Sequence, residues 1–529
     1  MKIPAGFKPV LHPFLFAIFP ALSLLSHNIA LATPGVIVKS VAILLPLAFL
    51  FFSILTLVLK DRLKAAMALT AFWFFFFSFG QVLNIRYGLL AAEVEGGIIR
   101  ALLALWAGLY LLIFFFIVRS RRNLEPLTRV FNVIALATIL VPSALIVRGR
   151  MTGHPVQESP KEIRGIQIPS WSLPHESTPS IFFIILDGFG DPDYLQATYD
   201  LDLTAFRSEL ETLGFSVAPS SHSNYCQTIL SLTATLNCSY LQDIPMGGTC
   251  DREACLPFLR DSMVVRLAKR AGYATIQYDS GYNGTADLGA EETLSPILSF
   301  SEFENLLINF TPVPAILHHF DLFTQFDAHR GRIHFILSSL PSVAARKTPV
   351  FVVAHIPAPH PPFVFDARGR SIDTGLEFSF GDGNHSDYGK DPPTYRKLYA
   401  DQVRFLTGAV VKSLGAIIER SPTAPVILLQ GDHGPGSQLD WGSVEKTALP
   451  ERMGILNACL LPPGSPPIQY TGITPINTMR GVLRTALGAS LPPVEDRSYF
   501  STWNIPCNFH DVTDRLLSDT HQEQPGKEE

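Results

Sequence analysis

The sequence predicts an α/β fold with a mainly parallel sheet between helices, preceded by an N-terminal bundle of about five transmembrane helices. Three observations predict it. Apolar runs with the length of a bilayer span are confined to the first 150 residues. From Ser180 to about Phe509, strand-like and helix-like stretches alternate. Three of the strand-like runs are continuously apolar, and a metal-binding or acid–base residue stands at the end of each.

The apolar stretches are approximately Val10–Ala32, Gly35–Leu59, Ala65–Ile85, Ala101–Val118 and Val130–Val147. They account for the positive mean hydropathy of +0.24 and most of the excess in a 47% hydrophobic content. Serial spans read as a polytopic anchor, because a cleaved leader would not be followed by four more. Basic residues mark alternate flanks: Lys2 and Lys8, then Lys60, Arg62 and Lys64, then Arg119, Arg121, Arg122 and Arg129. Of the remaining loops, one carries Glu93 and Glu95. The positive-inside rule then puts the N-terminus in the cytoplasm, and an odd number of spans puts everything after Val147 outside it. The expectation is a multi-pass protein of the cell membrane with its catalytic domain extracytoplasmic. Within the spans almost nothing ionises (Lys39 lies near an end), which argues against a transport pathway. A net charge of −5 and the lack of a basic tract outside the short loops argue against nucleic acid as a partner.

Residues 1–150 therefore read as the transmembrane domain and 151–179, rich in Pro, Ser, His and Glu, as a linker. Residues 180–510 read as the catalytic domain and 511–529 as a mobile tail. Helices are expected over Leu203–Leu213, Ser262–Ala271, Tyr395–Glu419 and Asn477–Ala486, with a further strand over Tyr273–Tyr278. All six cysteines lie beyond residue 220, which fits up to three disulfides in an oxidising compartment. Cys250 and Cys255 are the nearest local pair.

The three apolar runs carry the chemistry. Ser180–Leu186 leads into Asp187-Gly188; Pro349–Ala354 leads to His355 and then His360; Pro425–Gln430 leads into Gly431-Asp432-His433-Gly434. Ligands of open α/β sheets gather at the carboxyl ends of the strands, so these groups should meet. Two carboxylates and an imidazole at one edge make a divalent-metal site. Between the first two runs, Ser221–Asn237 is dense in hydroxyls and then turns helical. A hydroxyl at a helix N-terminus gains from the dipole, and free amides there hold phosphate oxygens; a plain helix cap is the other reading. Gly381–His385 reads as a polar surface loop, with a substrate loop or second metal contact as alternatives, and Arg396 and Arg404 read as solvated.

In order along the chain, Asp187-Gly188, the Thr228–Ser231 segment, Pro359-His360-Pro-Pro-Phe363 and Gly431-Asp432-His433-Gly434 resemble the alkaline phosphatase superfamily. The resemblance is to its sulfatase-like branch, which includes lipoteichoic acid synthases and phosphoethanolamine transferases and carries about five N-terminal spans. It implies an alkaline-phosphatase-like domain in which Asp187, Thr228, Asp432 and His433 bind a divalent metal ion (Mn2+, Zn2+ or Mg2+). It also implies Thr228, with Ser231 three residues on, as nucleophile and His360 as the acid–base residue. His355 is a second acid–base candidate, and His355 and Ser231 are expected in substrate contact. No Cys-x-Pro-x-Arg motif is present, since Gln-Thr-Ile-Leu follows Cys226, and this argues against sulfate-ester hydrolysis. The expected activity moves a phosphorylated headgroup, phosphoglycerol or phosphoethanolamine in type, from a membrane lipid to an envelope glycan through a phosphothreonine. Hydrolysis with water as acceptor, and a non-catalytic membrane scaffold, are the rival readings.

Overall fold

The computed structural model describes residues 9–27, 34–87, 96–152, 178–245, 251–296, 302–319, 323–376 and 378–522. The chain divides into two compact units, Met1–Pro155 with Phe300–Thr324, and Val156–Ser299 with Gln325–Glu529.

The first unit holds α1 (His12–His27), α2 (Pro34–Leu59), α3 (Arg62–Tyr87), α4 (Gly96–Arg119) and α5 (Glu125–Thr152). Four of them, α2 to α5, are long and apolar enough to cross a membrane, and α1 is a shorter apolar helix of 16 residues. Small side chains at the centre, among them Ala17, Ala21 and Ala48, let the helices approach around Leu69 and Trp73. Outward-facing apolar side chains such as Leu105, Phe115 and Phe116 suit a lipid environment. Residues 300–324, inside the catalytic range by sequence, belong to this unit. Lys39 on α2 lies 3.0 Å from Glu304 Oε1, and the Gly80 N–H donates to the Phe310 carbonyl at 3.0 Å.

The second unit is built on a sheet of seven strands: β1 (Ile181–Leu186), β2 (Ser216–Val217), β3 (Ala274–Tyr278), β4 (Glu292–Leu294), β5 (Val350–Ile356), β6 (Val426–Gln430) and β7 (Asn457–Leu460). Their order is β2-β7-β6-β1-β5-β3-β4. The five strands from β6 to β4 run parallel, and β7 and β2 add an antiparallel edge. Strands β1, β5 and β6 are buried at every residue, which is why they read as unbroken apolar runs. Alternate residues Phe182, Ile184 and Leu186 of β1 join one core with side chains of the Gln325–Ala344 and Pro392–Arg420 helices.

The register brings the candidate residues to one level. Ile185 stands opposite His355 on one side and Gln430 on the other. Asp187 and Asp432 each follow two residues beyond that row, so β1, β5 and β6 deliver their polar groups to the same carboxyl edge.

The helices expected by sequence form over Thr204–Thr212, Met263–Arg270, Pro392–Arg420 and Pro475–Leu487, and the extra strand is β3. The cysteines differ from expectation. Cys226, Cys238, Cys255 and Cys459 are buried thiols, so Cys255 is not bridged to Cys250, and Cys250 lies outside the described residues. Burial pushes the Cys238, Cys255 and Cys459 thiols up to about 12, which keeps them protonated packing groups. Cys507 is disulfide-bonded. In the expected tail, Thr513–Gln522 is helical, with Leu516 buried against Val512 and Phe500.

Candidate metal and nucleophile site

Asp187 leaves β1 as its chain turns, with its N–H donating to Ile356 O at 3.0 Å and its carbonyl accepting from His360 N–H at 2.9 Å. Gly188 follows at φ +73°, a conformation that a side chain would strain, as the sequence reading of this turn requires. The Gly188 N–H donates to Asp432 Oδ1 at 3.1 Å, so the two acidic turns are tied directly together. The Gly431–Gly434 turn is equally constrained: a Cβ on Gly434 would lie 2.0 Å from the Glu451 carbonyl oxygen.

Thr228 opens a buried ten-residue helix, Thr228–Asn237, with Gln227 in extended conformation at its N-cap. The first intrahelical bond runs from Ser231 N–H to Gln227 O at 2.9 Å, leaving the amides before it outside the helix ladder. The Thr228 hydroxyl lies 3.0 Å from His433 Nε2. His433 Nδ1 is 2.9 Å from Gly434 O, and a carbonyl can only accept, so Nδ1 carries the proton and Nε2 presents a lone pair. Burial, reinforced by the Arg452 guanidinium, lowers the His433 pKa and keeps the ring neutral. A backbone-anchored neutral imidazole is the form in which histidine ligates metals.

Around that lone pair stand Asp432 Oδ2 at 3.4 Å and Asp187 Oδ1 at 3.6 Å. Both oxygens are buried without a hydrogen-bond partner. Two buried carboxylate oxygens left unsatisfied cost several kcal/mol, roughly, unless something positive sits between them. Asp187 is nevertheless held below the usual carboxylate range: burial raises its pKa, but His360, His355 and His433 together outweigh burial. The set of two carboxylate oxygens, one imidazole nitrogen and one hydroxyl fits Zn2+ or Mn2+, and the orphaned oxygens are the observation that the fit rests on. Two triads have ligand atoms mutually within 4.8 Å, Asp187–His360–His433 and Asp187–His355–Asp432.

His355 and Ser231 lie behind this set. His355 is wholly buried, with Nε2 donating to Asp187 Oδ2 at 3.1 Å and Nδ1 2.8 Å from the Thr285 hydroxyl. Burial alone would lower its pKa, but the Asp187 hydrogen bond and charge raise it overall. Ser231, also fully buried, donates to Asp432 O at 2.8 Å. His360 lies nearer the surface, 8% exposed, with its ring centroid 5.9 Å from that of His433. Its Nδ1 is 2.6 Å from Pro361 O, which again leaves Nε2 as the reactive nitrogen.

Each residue of this set carries a signal in the sequence; two neighbours stand out less. Asp382, in a stretch that reads as a polar surface loop with a substrate loop or second metal contact as alternatives, is 3% exposed, with Oδ2 3.8 Å from His360 Nε2 and 2.7 Å from Arg452 Nη1. Arg452 itself is buried, with Nε donating to Cys226 O at 2.9 Å and Nη1 to Gly434 O at 3.0 Å.

No family model matches the chain, and no curated protein sequence matches it. Solved structures do resemble it, at low identity. Integral membrane lipooligosaccharide phosphoethanolamine transferase A from Neisseria meningitidis is 13% identical, covering 91% of this chain and 94% of its own, with a TM-score of 0.40. The zinc complex of the periplasmic domain of EptC from Escherichia coli is 11% identical over 66% of this chain and 96% of its own, TM-score 0.43. The lipoteichoic acid synthase LtaP from Listeria monocytogenes is 11% identical over 65% and 83%, TM-score 0.37.

Proposed function

We propose that the chain is a membrane-anchored, divalent-metal-dependent phosphotransferase. It moves a phosphorylated headgroup, phosphoethanolamine or phosphoglycerol in type, from a membrane lipid to a hydroxyl of an envelope glycan. The observation that carries this reading is the Thr228 hydroxyl at a helix N-terminus, 3.0 Å from a neutral imidazole nitrogen, beside two unsatisfied buried carboxylate oxygens. Among the described residues, Thr228 carries the hydroxyl that faces the His433 lone pair, while Ser231 donates to a backbone carbonyl, and a nucleophile is what such an arrangement activates. The apolar helices of the first unit favour a lipid donor, and the basic flanks of the spans favour an extracytoplasmic catalytic unit.

Asp187, Asp432, His433 and Thr228 would hold the ion. When bound, it would favour the ionised hydroxyl and offset negative charge on the phosphoryl oxygens. In the first half-reaction Thr228 Oγ1, its proton lost to water, bonds to phosphorus while the bond from phosphorus to the diacylglycerol oxygen breaks. His360 gives that oxygen its proton. In the second half the acceptor hydroxyl returns a proton to His360, bonds to phosphorus and releases Thr228. Free amides at the start of the Thr228 helix orient the phosphoryl group in both halves. His355 and Ser231 fit a role behind the ligands, steadying Asp187 and Asp432, in place of the substrate contact suggested by sequence.

Intact-protein mass spectrometry of the full chain, loaded with manganese or zinc and given a panel of headgroup phospholipids, tests the reading. An adduct of one headgroup mass on Thr228, absent from Thr228→Ala, is the expected result. Release of headgroup that does not depend on an acceptor would make the enzyme a hydrolase. Bound metal with neither adduct nor release would overturn the lipid donor, and no metal binding would leave the scaffold reading.

A further inference from the structure

Asp382 and Arg452 form a buried ion pair for which the reaction outlined above has no use. Arg452 Nη1 lies 2.7 Å from Asp382 Oδ2, and both side chains are 2% exposed. Asp382 Oδ1 accepts from the Tyr395 hydroxyl and from the Gly383 N–H, each at 2.8 Å. Trp441 Nε1 donates to the Asp382 carbonyl at 2.9 Å. A buried pair of this kind gives little net stability compared with apolar side chains of the same volume. Its value lies in what it fixes. Arg452 grips the carbonyl of Cys226, two residues before Thr228, and the carbonyl of Gly434, directly after His433.

We propose that Asp382 is a positioning residue for His360 and that Arg452 holds Asp382 in place; the inference rests on the reading that His360 protonates the leaving oxygen. The His360 ring is pinned at Nδ1 by Pro361 O, so its remaining freedom is rotation that swings Nε2. Asp382 Oδ2 stands 3.8 Å from Nε2, too far for a hydrogen bond and near enough for charge to act. The carboxylate therefore draws the Nε2 edge towards the site without capturing its proton, which stays available to the substrate. Tyr395, Gly383 and Arg452 occupy the other faces of the carboxylate, so it cannot turn away.

The test compares two phosphodiesters with one headgroup, using the full metal-loaded chain. In one ester the leaving group is p-nitrophenolate, which needs no proton; in the other it is the alkoxide of a diacylglycerol, which does. Asp382→Asn should lower kcat on the lipid ester by about tenfold to hundredfold, part of the roughly hundredfold to ten-thousandfold that a well-aimed general acid supplies. The burst of nitrophenolate, which reports the first half-reaction alone, and metal content by elemental analysis should stay close to those of the unmodified chain. His360→Ala should lower kcat on the lipid ester at least as far, and Asp382→Asn should add nothing to that loss. Gly436→Ala keeps every ionisable group but puts a Cβ 2.6 Å from Asp382 Oδ2, and it should reproduce the split if Asp382→Asn folds poorly. Equal losses on both esters would overturn the inference alone. Cleavage of neither ester by the unmodified chain would overturn the functional reading and the inference with it.

Discussion

The Ser231 hydroxyl donates to the backbone carbonyl of Asp432 at 2.8 Å, one helical turn after Thr228. This bond ties the helix that carries the candidate nucleophile to the turn that carries two of its candidate metal ligands. Ser231→Ala should leave that carbonyl buried and unpaired and loosen the turn. Metal affinity should fall by about tenfold, at the lower end of what supporting partners of ligands contribute, in a competitive chelator titration.

His355 has a comparable role on the other carboxylate. His355→Ala removes the donor to Asp187 Oδ2 and should weaken metal binding by about tenfold to hundredfold. His355→Gln restores a donor and should recover part of the loss. Thr285→Val, which removes only the hydroxyl facing His355 Nδ1, should cost less than either, and the same titration ranks all three.

Metal removal should also be visible in stability. An ion that binds only the folded chain stabilises it by about 2.7 kcal/mol at a free concentration 100 times its Kd. Chelation should therefore lower Tm reversibly. In Asp187→Asn, which loses one of the two carboxylates beside His433, chelation should leave Tm nearly unchanged.

Acid should destabilise the second unit through His329. This ring is wholly buried between Phe378 and Phe380, and burial, then Arg332, lowers its pKa to about 3. The unfolded chain titrates it near the ordinary 6.5, so between these values the unfolded state holds the extra proton. Its contribution is thus complete above pH 6.5 and shrinks as pH falls towards 3. At pH 5 the loss is about 2 kcal/mol, from 1.36 kcal/mol for each pH unit. His329→Leu should flatten the dependence of denaturant midpoint on pH over that window. His222, lowered to about 4 by burial, should keep a residual slope of the same sign.

What sequence revealed and what it hid follow from the range of the interactions. Strands β1, β5 and β6 are covered on both faces, so their composition announces them, and the turn residues at their ends announce the site. Asp382 gives no such signal. It stands among glycines and polar residues in an irregular segment, and it is buried only because Arg452, 70 positions away, and Tyr395 surround its carboxylate. His355 shows the intermediate case: its position was legible from the end of its strand, but its neighbours Asp187 and Thr285 come from other parts of the chain. Residues 300–324 carry no compositional break, so their membership of the first unit rests on partners such as Lys39 and Gly80 that only folding supplies.

Both His360 and His433 donate from Nδ1 to the carbonyl of a residue adjoining them in the chain, Pro361 and Gly434. In each ring one nitrogen is thus fixed by its own dipeptide, before any distant side chain acts on the other. Which nitrogen of each ring faces outward is therefore written into two adjoining residues, a His-Pro and a His-Gly step, and needs no long-range contact to be set.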